Sequence, residues 1–252
     1  MILIEMNESV WVLESTLWWI GVFIALFLGF VFLKQIKKNP VSKKFMIGLA
    51  IFSFTYGIAR ILENIRHYII GTMELRNDIS DAWLTKSQIG GYGYFLRILY
   101  YIIAWAGIST FYFVSEKYVF RGKYKYTLTL SAIVEGIVSV LNYIPKNGPN
   151  ILTIILSAIG FFIAAIFPIY LYILMAKSNT GVIRSSCIIV ALGIALFIIS
   201  VMGDLPESLY IITLVGGKPL PVWITSIVVP ILFFIGVFTM AYGFIKMFLK
   251  LT

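Results

Sequence analysis

Seven long apolar segments constrain this chain more than any other feature of its sequence. They cover residues 11–33, 45–70, 91–115, 126–144, 151–176, 185–204 and 222–247. A helix rises about 1.5 Å per residue, so about 20 apolar residues cross the roughly 30 Å hydrocarbon core of a bilayer. Only 12% of the residues are charged, about half the share found in soluble domains. The sequence therefore predicts an all-α integral membrane protein, a single domain over residues 1–252 with seven transmembrane helices.

The basic residues indicate how the predicted bundle lies in the membrane. Thirteen lysines and arginines lie at the side reached after spans one, three, five and seven, against four on the opposite side. Cytoplasmic loops are enriched in these residues, so the asymmetry predicts an external N-terminus and a cytoplasmic C-terminus in the plasma membrane. It also accounts for the net charge of +9 without a nucleic-acid partner. We expect Trp11, Trp18 and Trp19 to form an aromatic belt at the outer interface.

The second apolar segment carries ionisable residues inside its sequence. At about 100° per residue, one side of this helix collects six polar residues. They are Ser53, Tyr56, Arg60, Glu63, Asn64 and His67. A charge at the bilayer centre costs about 2.5–3.5 kcal/mol on insertion scales, so this side is expected to face protein or water. The helical rise places Arg60 and Glu63 in the outer half of the membrane, and Arg66 and His67 at the outer interface.

Spans three, four and six add polar residues at a similar depth. Arg97 shares a face with Tyr100 and Tyr101, whereas Glu135 and Asp204 come from the other two spans. We predict that these side chains line one hydrated pocket that opens to the outside and binds a ligand. The predicted ligand-binding residues are Arg60, Glu63, Arg97, Tyr100, Tyr101, Glu135 and Asp204. The arginines would anchor an anion, because a guanidinium stays charged and offers a planar fork to carboxylate or phosphate.

Two residues of this region are candidates for binding a proton. Glu135 is the deeper one, and desolvation raises the pKa of a buried carboxyl group. His67 is the second, although an interfacial hydrogen-bonding role is the alternative interpretation. A wider alternative also stays open: the deep charges balance, so they could form a lattice of salt bridges that only holds the helices together. Tyr100 and Tyr101 could likewise serve packing alone.

Several functional classes lack their sequence signals. Seven spans with an external N-terminus resemble microbial rhodopsins and G-protein-coupled receptors in topology alone. Lys246 lies about 18 Å from the midplane of the last span by helical rise, so no retinal is expected. The third span ends in Ser115-Glu116-Lys117-Tyr118 instead of Asp-Arg-Tyr, and no Asn-Pro-x-x-Tyr surrounds Pro230. One histidine and one cysteine predict no metal site, and without a nucleophile motif we expect neither catalytic residues nor an enzyme.

The sequence favours a receptor or sensor that binds a small polar or anionic ligand and signals through a partner protein. The basic cytoplasmic loops would contact that partner, and the protein could work as an oligomer within the lipid bilayer. A first alternative is a small permease, coupled to protons through Glu135, with kinks at Pro168 and Pro230 as moving parts. A second alternative is an accessory subunit of a larger membrane complex, in which the charges bind neighbouring chains.

Overall fold

The computed structural model describes residues 8–36, 43–70, 86–142, 151–204 and 224–249. Side chains are described throughout these ranges except at positions 8–11, 67–70, 86–94, 142, 151–159, 161–164, 204 and 248–249.

Within the described ranges the chain folds into seven α-helices, as the all-helical prediction requires. These are α1 (Glu8–Ile36), α2 (Lys43–Ile70), α3 (Lys86–Val114), α4 (Thr127–Asn142), α5 (Ile151–Lys177), α6 (Gly181–Asp204) and α7 (Val229–Leu249). The π-helical turn Ser115–Val119 extends α3, and the π-helical turn Ile224–Val228 leads into α7. Each helix lies on one of the seven apolar segments. Pro230 is the second residue of α7 and cannot donate a helical hydrogen bond, which accounts for the irregular turn before it.

Five of the helices are long and apolar enough to cross a membrane. Their apolar stretches are Val12–Ile36, Lys43–Arg66, Phe95–Val119, Gly181–Gly203 and Ile224–Met247. The other two helices contribute the shorter apolar stretches Thr127–Leu141 and Ala165–Lys177 within the described side chains. Membrane spanning stays a prediction for all seven helices, and the described parts of α4 and α5 are shorter than the other five stretches.

Consecutive helices pack against each other in opposite directions. Gly29 of α1 lies against Phe54 of α2, and Gly57 of α2 lies against Leu26 further back in α1. The close contacts that glycines make show that α2 and α3 also run antiparallel, and so do α6 and α7. Because α7 also contacts α1, the helices close into a ring. We call the end at which α1 begins the amino end of the bundle, and the end at which α7 finishes the carboxyl end.

Aromatic side chains fill the centre of the ring. The Tyr56 ring lies 5.2 Å from the ring of Phe197 and 5.4 Å from that of Phe233, measured between centroids. Towards the carboxyl end, Phe244 packs at 5.2 Å from Phe45. Such ring pairs add about 0.5–1.5 kcal/mol each beyond the burial of their area. This core fixes the inner faces of α2 and α7, so the polar residues of α2 are held in place rather than free to rotate.

Candidate functional site

The centre of the site is a carboxylate that two arginines share. Arg66 donates from Nε to both oxygens of Glu63, at 3.2 and 3.1 Å, and from Nη2 to Oε1 at 2.9 Å. Arg97 of α3 donates from Nη1 to the same Oε1. The exposed fractions are 2% for Glu63, 4% for Arg66 and 6% for Arg97. This ion cluster therefore joins α2 to α3 in a place that water barely reaches.

Arg60 lies one turn before this cluster on α2 and is held by aromatic rings. Its guanidinium carbon is 3.7 Å from the centroid of the Trp18 ring, 5.7 Å from that of Tyr100 and 5.9 Å from that of Tyr56. A cation over the face of an aromatic ring is attracted by the ring quadrupole, most strongly to tryptophan. Arg60 and Trp18 are both 2% exposed. Their contact orients the guanidinium without using its hydrogen-bond donors.

Tyr100 connects the two arginine environments. The guanidinium carbon of Arg97 lies 5.6 Å from the Tyr100 ring centroid and 5.2 Å from that of Tyr101. Arg97 Nη2 also donates to the Tyr101 hydroxyl at 3.4 Å. The structure thus places both predicted tyrosines next to the predicted arginines. We call Trp18, Arg60, Glu63, Asn64, Arg66, Arg97, Tyr100 and Tyr101 the arginine cluster.

Two buried hydrogen-bond donors complete the arginine cluster. Asn64 is 4% exposed and follows Arg60 by one turn, and its Nδ2 has no acceptor among the described residues. The Nε1 of Trp18 likewise has no acceptor within the described part of the chain. A buried donor without an acceptor costs about 1–3 kcal/mol, so its presence calls for an explanation.

Glu135 lies on a different helix contact from the arginine cluster. Its side chain is 2% exposed and faces Gly160 of α5, where an added Cβ would collide with Oε2. Ser139, one turn later on α4, donates to Oε1 at 3.5 Å. Trp105 packs on the neighbouring Gly136, and it follows Arg97 by eight residues, or about 12 Å of helical rise. Glu135 is therefore a second polar point, between α4 and α5.

The two remaining predicted residues lie outside the described side chains. His67 belongs to the last turn of α2, and Asp204 is the final residue of α6. Asp204 comes directly after Gly203, which packs against Val229 at the start of α7. By backbone alone both residues belong to the amino end of the bundle, as expected. Their ligand and proton roles stay predictions.

The structure adds two residues to the predicted ligand-binding set. Arg66 is buried on Glu63, and the spacing of three residues between them is the sequence signal for this pair, whereas its predicted depth at the outer interface stays a prediction. Trp18 was expected in an aromatic belt, and this is wrong, because its ring packs inside the bundle between Arg60 and Phe233. Which tryptophan of α1 faces Arg60 depends on how α1 packs on α2, and the sequence of α1 does not encode that.

Chemically, the arginine cluster is a buried set of donors with aromatic walls. Guanidinium, amide and indole groups all offer hydrogens, and the carboxylate of Glu63 already shows the geometry that an acceptor takes between Arg66 and Arg97.

No protein-family model, curated protein or solved structure matches this chain.

Proposed function

We propose that this chain is a seven-span membrane protein whose arginine cluster binds a small anionic ligand, as a receptor or sensor does. The N-terminus would be external, the C-terminus cytoplasmic and the membrane the plasma membrane, all of which rest on the distribution of lysine and arginine. The amino end of the bundle then faces outside, and the cluster lies in the outer half.

Membrane insertion is supported by the side chains that the bundle turns outward. Large apolar residues are exposed on several helices, among them Phe23, Phe27, Phe30, Leu130, Ile137 and Tyr242. Soluble monomers rarely expose large contiguous apolar patches, because water disfavours them. A bilayer removes this cost, since its interior is itself apolar. The burial of the charged residues of the arginine cluster fits the same setting, because they turn away from the outer surface of the bundle.

The observation that carries the anion proposal is the pair of buried donors beside the arginines. Asn64 Nδ2 and Trp18 Nε1 have no acceptor within the described residues, and both belong to side chains that adjoin Arg60 on α2 or contact it from α1. A lattice that served stability alone would gain by pairing or removing these groups. A ligand rich in acceptor oxygens, such as a carboxylate or phosphate, would accept hydrogen bonds from these two donors and would be attracted by the charge of the arginines.

Glu63 has a defined part in this proposal. Its carboxylate contacts both Arg66 and Arg97, so an incoming anion can take over Arg97 while Arg66 still neutralises Glu63. Glu63 thereby acts as an internal competitor that occupies Arg97 when the ligand is absent. Removing its charge should strengthen anion binding, whereas removing Arg97 should abolish it. A purely structural salt bridge gives no reason for the first effect.

Thermal stability measured with simple anions tests this proposal. Purified protein in neutral detergent is melted with succinate or inorganic phosphate, against sodium chloride at equal ionic strength. Ligand at 100 times its Kd stabilises a folded protein by about 2.7 kcal/mol, so Tm should rise with at least one anion. We expect Arg97→Gln to lose this rise and Glu63→Gln to lower the apparent Kd about tenfold, the worth of one charged hydrogen bond.

Arg184→Gln is the matched control, because Arg184 is an exposed arginine near the carboxyl end of the bundle. It should keep the wild-type response. The proposal is abandoned if neither anion raises the wild-type Tm, or if Arg97→Gln responds as the wild type does. Transfer of the signal to a cytoplasmic or membrane partner is the further part of the proposal, and co-purification in the presence and absence of the active anion tests it.

A further inference from the structure

The connection between α3 and α4 has a regular pattern of exposure. We call residues 117–126 the basic loop. Its cations Lys117, Arg121, Lys123 and Lys125 are all exposed, while the intervening residues 118–120, 122 and 124 are half-buried. The neighbouring acidic residue, Glu116, is fully buried. Four positive charges therefore project from one short segment at the carboxyl end of the bundle, with no exposed acid between them.

The half-buried aromatic residues anchor the basic loop to α5. The Phe120 ring packs at 5.2 Å from that of Tyr172, and the Tyr124 ring lies 6.2 Å from that of Phe167. The backbone is closed on itself as well, with Gly122 N donating to Glu116 O at 2.8 Å. These contacts fix the backbone of the loop. The Cα atoms of its four cations therefore keep a fixed spacing.

Glu116 attaches the basic loop to the start of α4. Its carboxylate accepts hydrogen bonds from the backbone N–H groups of Leu128 and Thr129, at 3.0 and 3.1 Å, and from the Thr129 hydroxyl at 2.6 Å. These N–H groups belong to the first turn of α4, which has no helical acceptors of its own. A negative charge there is also favoured by the helix dipole.

The backbone of the basic loop is strained in three places. Arg121, Lys125 and Tyr126 have φ angles of +52°, +50° and +61°, and Gly122 has +71°. A left-handed conformation costs a residue with a side chain about 1–2 kcal/mol. Strain of this kind persists where the surrounding structure enforces it and is found concentrated at functional sites. Here the enforcing contacts are those of Glu116, Phe120 and Tyr124, and the strained residues include two of the four cations.

We infer that the basic loop binds the phosphate headgroup of anionic membrane lipids. The charges supply the attraction, because each lysine or arginine near an anionic surface strengthens binding by roughly fivefold. Large apolar side chains adjoin the loop on both sides, with Phe113 exposed before it and Leu130 exposed after it. A ligand that fits cations next to exposed apolar side chains has an acidic head and an apolar tail. The inference depends on the proposed membrane insertion, although not on the anion site of the arginine cluster.

A lipid titration of the full-length protein tests the inference. Binding of dioctanoyl phosphatidylglycerol to the protein in neutral detergent is compared with binding of dioctanoyl phosphatidylcholine by native mass spectrometry. The wild type should prefer the anionic lipid. The triple variant Arg121→Gln/Lys123→Gln/Lys125→Gln should bind it about 100-fold more weakly, since three cations are removed. The single variant Lys123→Gln should lose about fivefold, and it serves if the triple variant fails to fold.

The matched control removes the same charges elsewhere at the carboxyl end. Lys34, Lys177 and Arg184 are exposed, like the loop cations, but lie near the helix ends of α1, α5 and α6. Their triple glutamine variant should keep the preference for phosphatidylglycerol. An equal loss of phosphatidylglycerol binding in both triple variants would show that only the net charge of the protein matters, and it would overturn the inference.

Two further probes separate the sources of the acidic group. Glycerol phosphate carries the headgroup without tails, and a polyglutamate peptide stands for an acidic protein partner. Tighter loop-dependent binding of either one than of the lipid overturns the inference. A chain that carbonate extracts from membranes would refute membrane insertion itself, whereas an inserted chain with no lipid preference refutes only the role of the loop.

Discussion

Two buried glutamates of this molecule are held in opposite ways. Glu63 is 2% exposed and is bound by the side chains of Arg66 and Arg97. Glu116 is fully buried and is bound chiefly by backbone N–H groups at the start of α4. The backbone donors of α4 are fixed by the helix, whereas guanidinium groups sit at the ends of long side chains that can turn. The proposed exchange of partners therefore concerns the first arrangement and not the second.

This difference indicates what each site is suited to do. A carboxylate bound by two cationic side chains can yield one of them to an incoming anion, which is the behaviour proposed for the arginine cluster. A carboxylate on a helix N-terminus fixes the geometry of its surroundings, which is what a strained loop requires. The α2–α3 contact is therefore suited to the proposed exchange, and the α3–α4 connection to holding a fixed backbone. Removing the carboxylate tests each of these two roles.

The largest effect is expected from removing Glu63. Glu63→Ala leaves Arg66 and Arg97 without the carboxylate that both contact, and breaking a buried ion pair costs about 3–5 kcal/mol. Unfolding in detergent, followed by temperature or denaturant, measures the loss. Acetate should restore part of it by entering the vacated position, since it supplies the missing carboxylate group.

A double-mutant cycle sharpens this result. Arg66→Ala combined with Glu63→Ala should be less destabilising than the sum of the two single changes, with a coupling energy of about 1–3 kcal/mol. Additive effects would show that Glu63 and Arg66 do not interact in solution. Failure of acetate to act on Glu63→Ala would count against exchange at this site, even if the coupling were present.

Removing Glu116 should cost somewhat less. Glu116→Ala deletes three hydrogen bonds and leaves the first turn of α4 without its cap, which together are worth about 2–3 kcal/mol. Tm in neutral detergent measures this loss. Acetate should not restore it, because Phe120 and Tyr124 still pack the loop against α5 when the carboxylate is absent. Rescue as strong as that for Glu63→Ala would erase the distinction between the two carboxylates.

The two sites also differ in how far the sequence could predict them. The polar side of α2 follows from helical periodicity, and the level of Arg97 follows from counting residues along neighbouring antiparallel spans. These two rules place Glu63 near Arg97, as the structure does. They do not place Trp18, because the rotation of α1 about its axis depends on packing against α2. Glu135 shows the same limit: its height was predicted, but its contact with Gly160 depends on the direction in which α4 faces.

The α3–α4 connection shows a different limit. Its four cations were visible in the sequence and indicated orientation only. Nothing in the letters signals a π-helical turn, three residues with positive φ or a glutamate that reaches across 12 positions to cap the next helix. The usual signals for such backbone, glycine or asparagine at the left-handed positions, occur only at Gly122. Where tertiary contacts enforce a conformation, local composition does not reveal it.

The smallest effect on the free energy of unfolding is expected from relieving the strain in the basic loop. Whether this change stabilises or destabilises the protein is the informative result. Lys125 has φ +50°, so Lys125→Gly removes a steric cost of about 1–2 kcal/mol and adds an entropic cost of about 0.5–1 kcal/mol. The net change should stabilise the protein slightly. Lys123→Gly removes the same charge at a residue with negative φ, so it relieves no strain, carries the entropic cost and loses the contact of Lys123 Nζ with the Tyr124 ring. Lys125→Gly should therefore be the more stable variant, by at least about 1 kcal/mol of unfolding free energy. Equal stabilities would mean that the loop relaxes in solution, and a relaxed loop could not hold its cations at the fixed spacing that the lipid site requires.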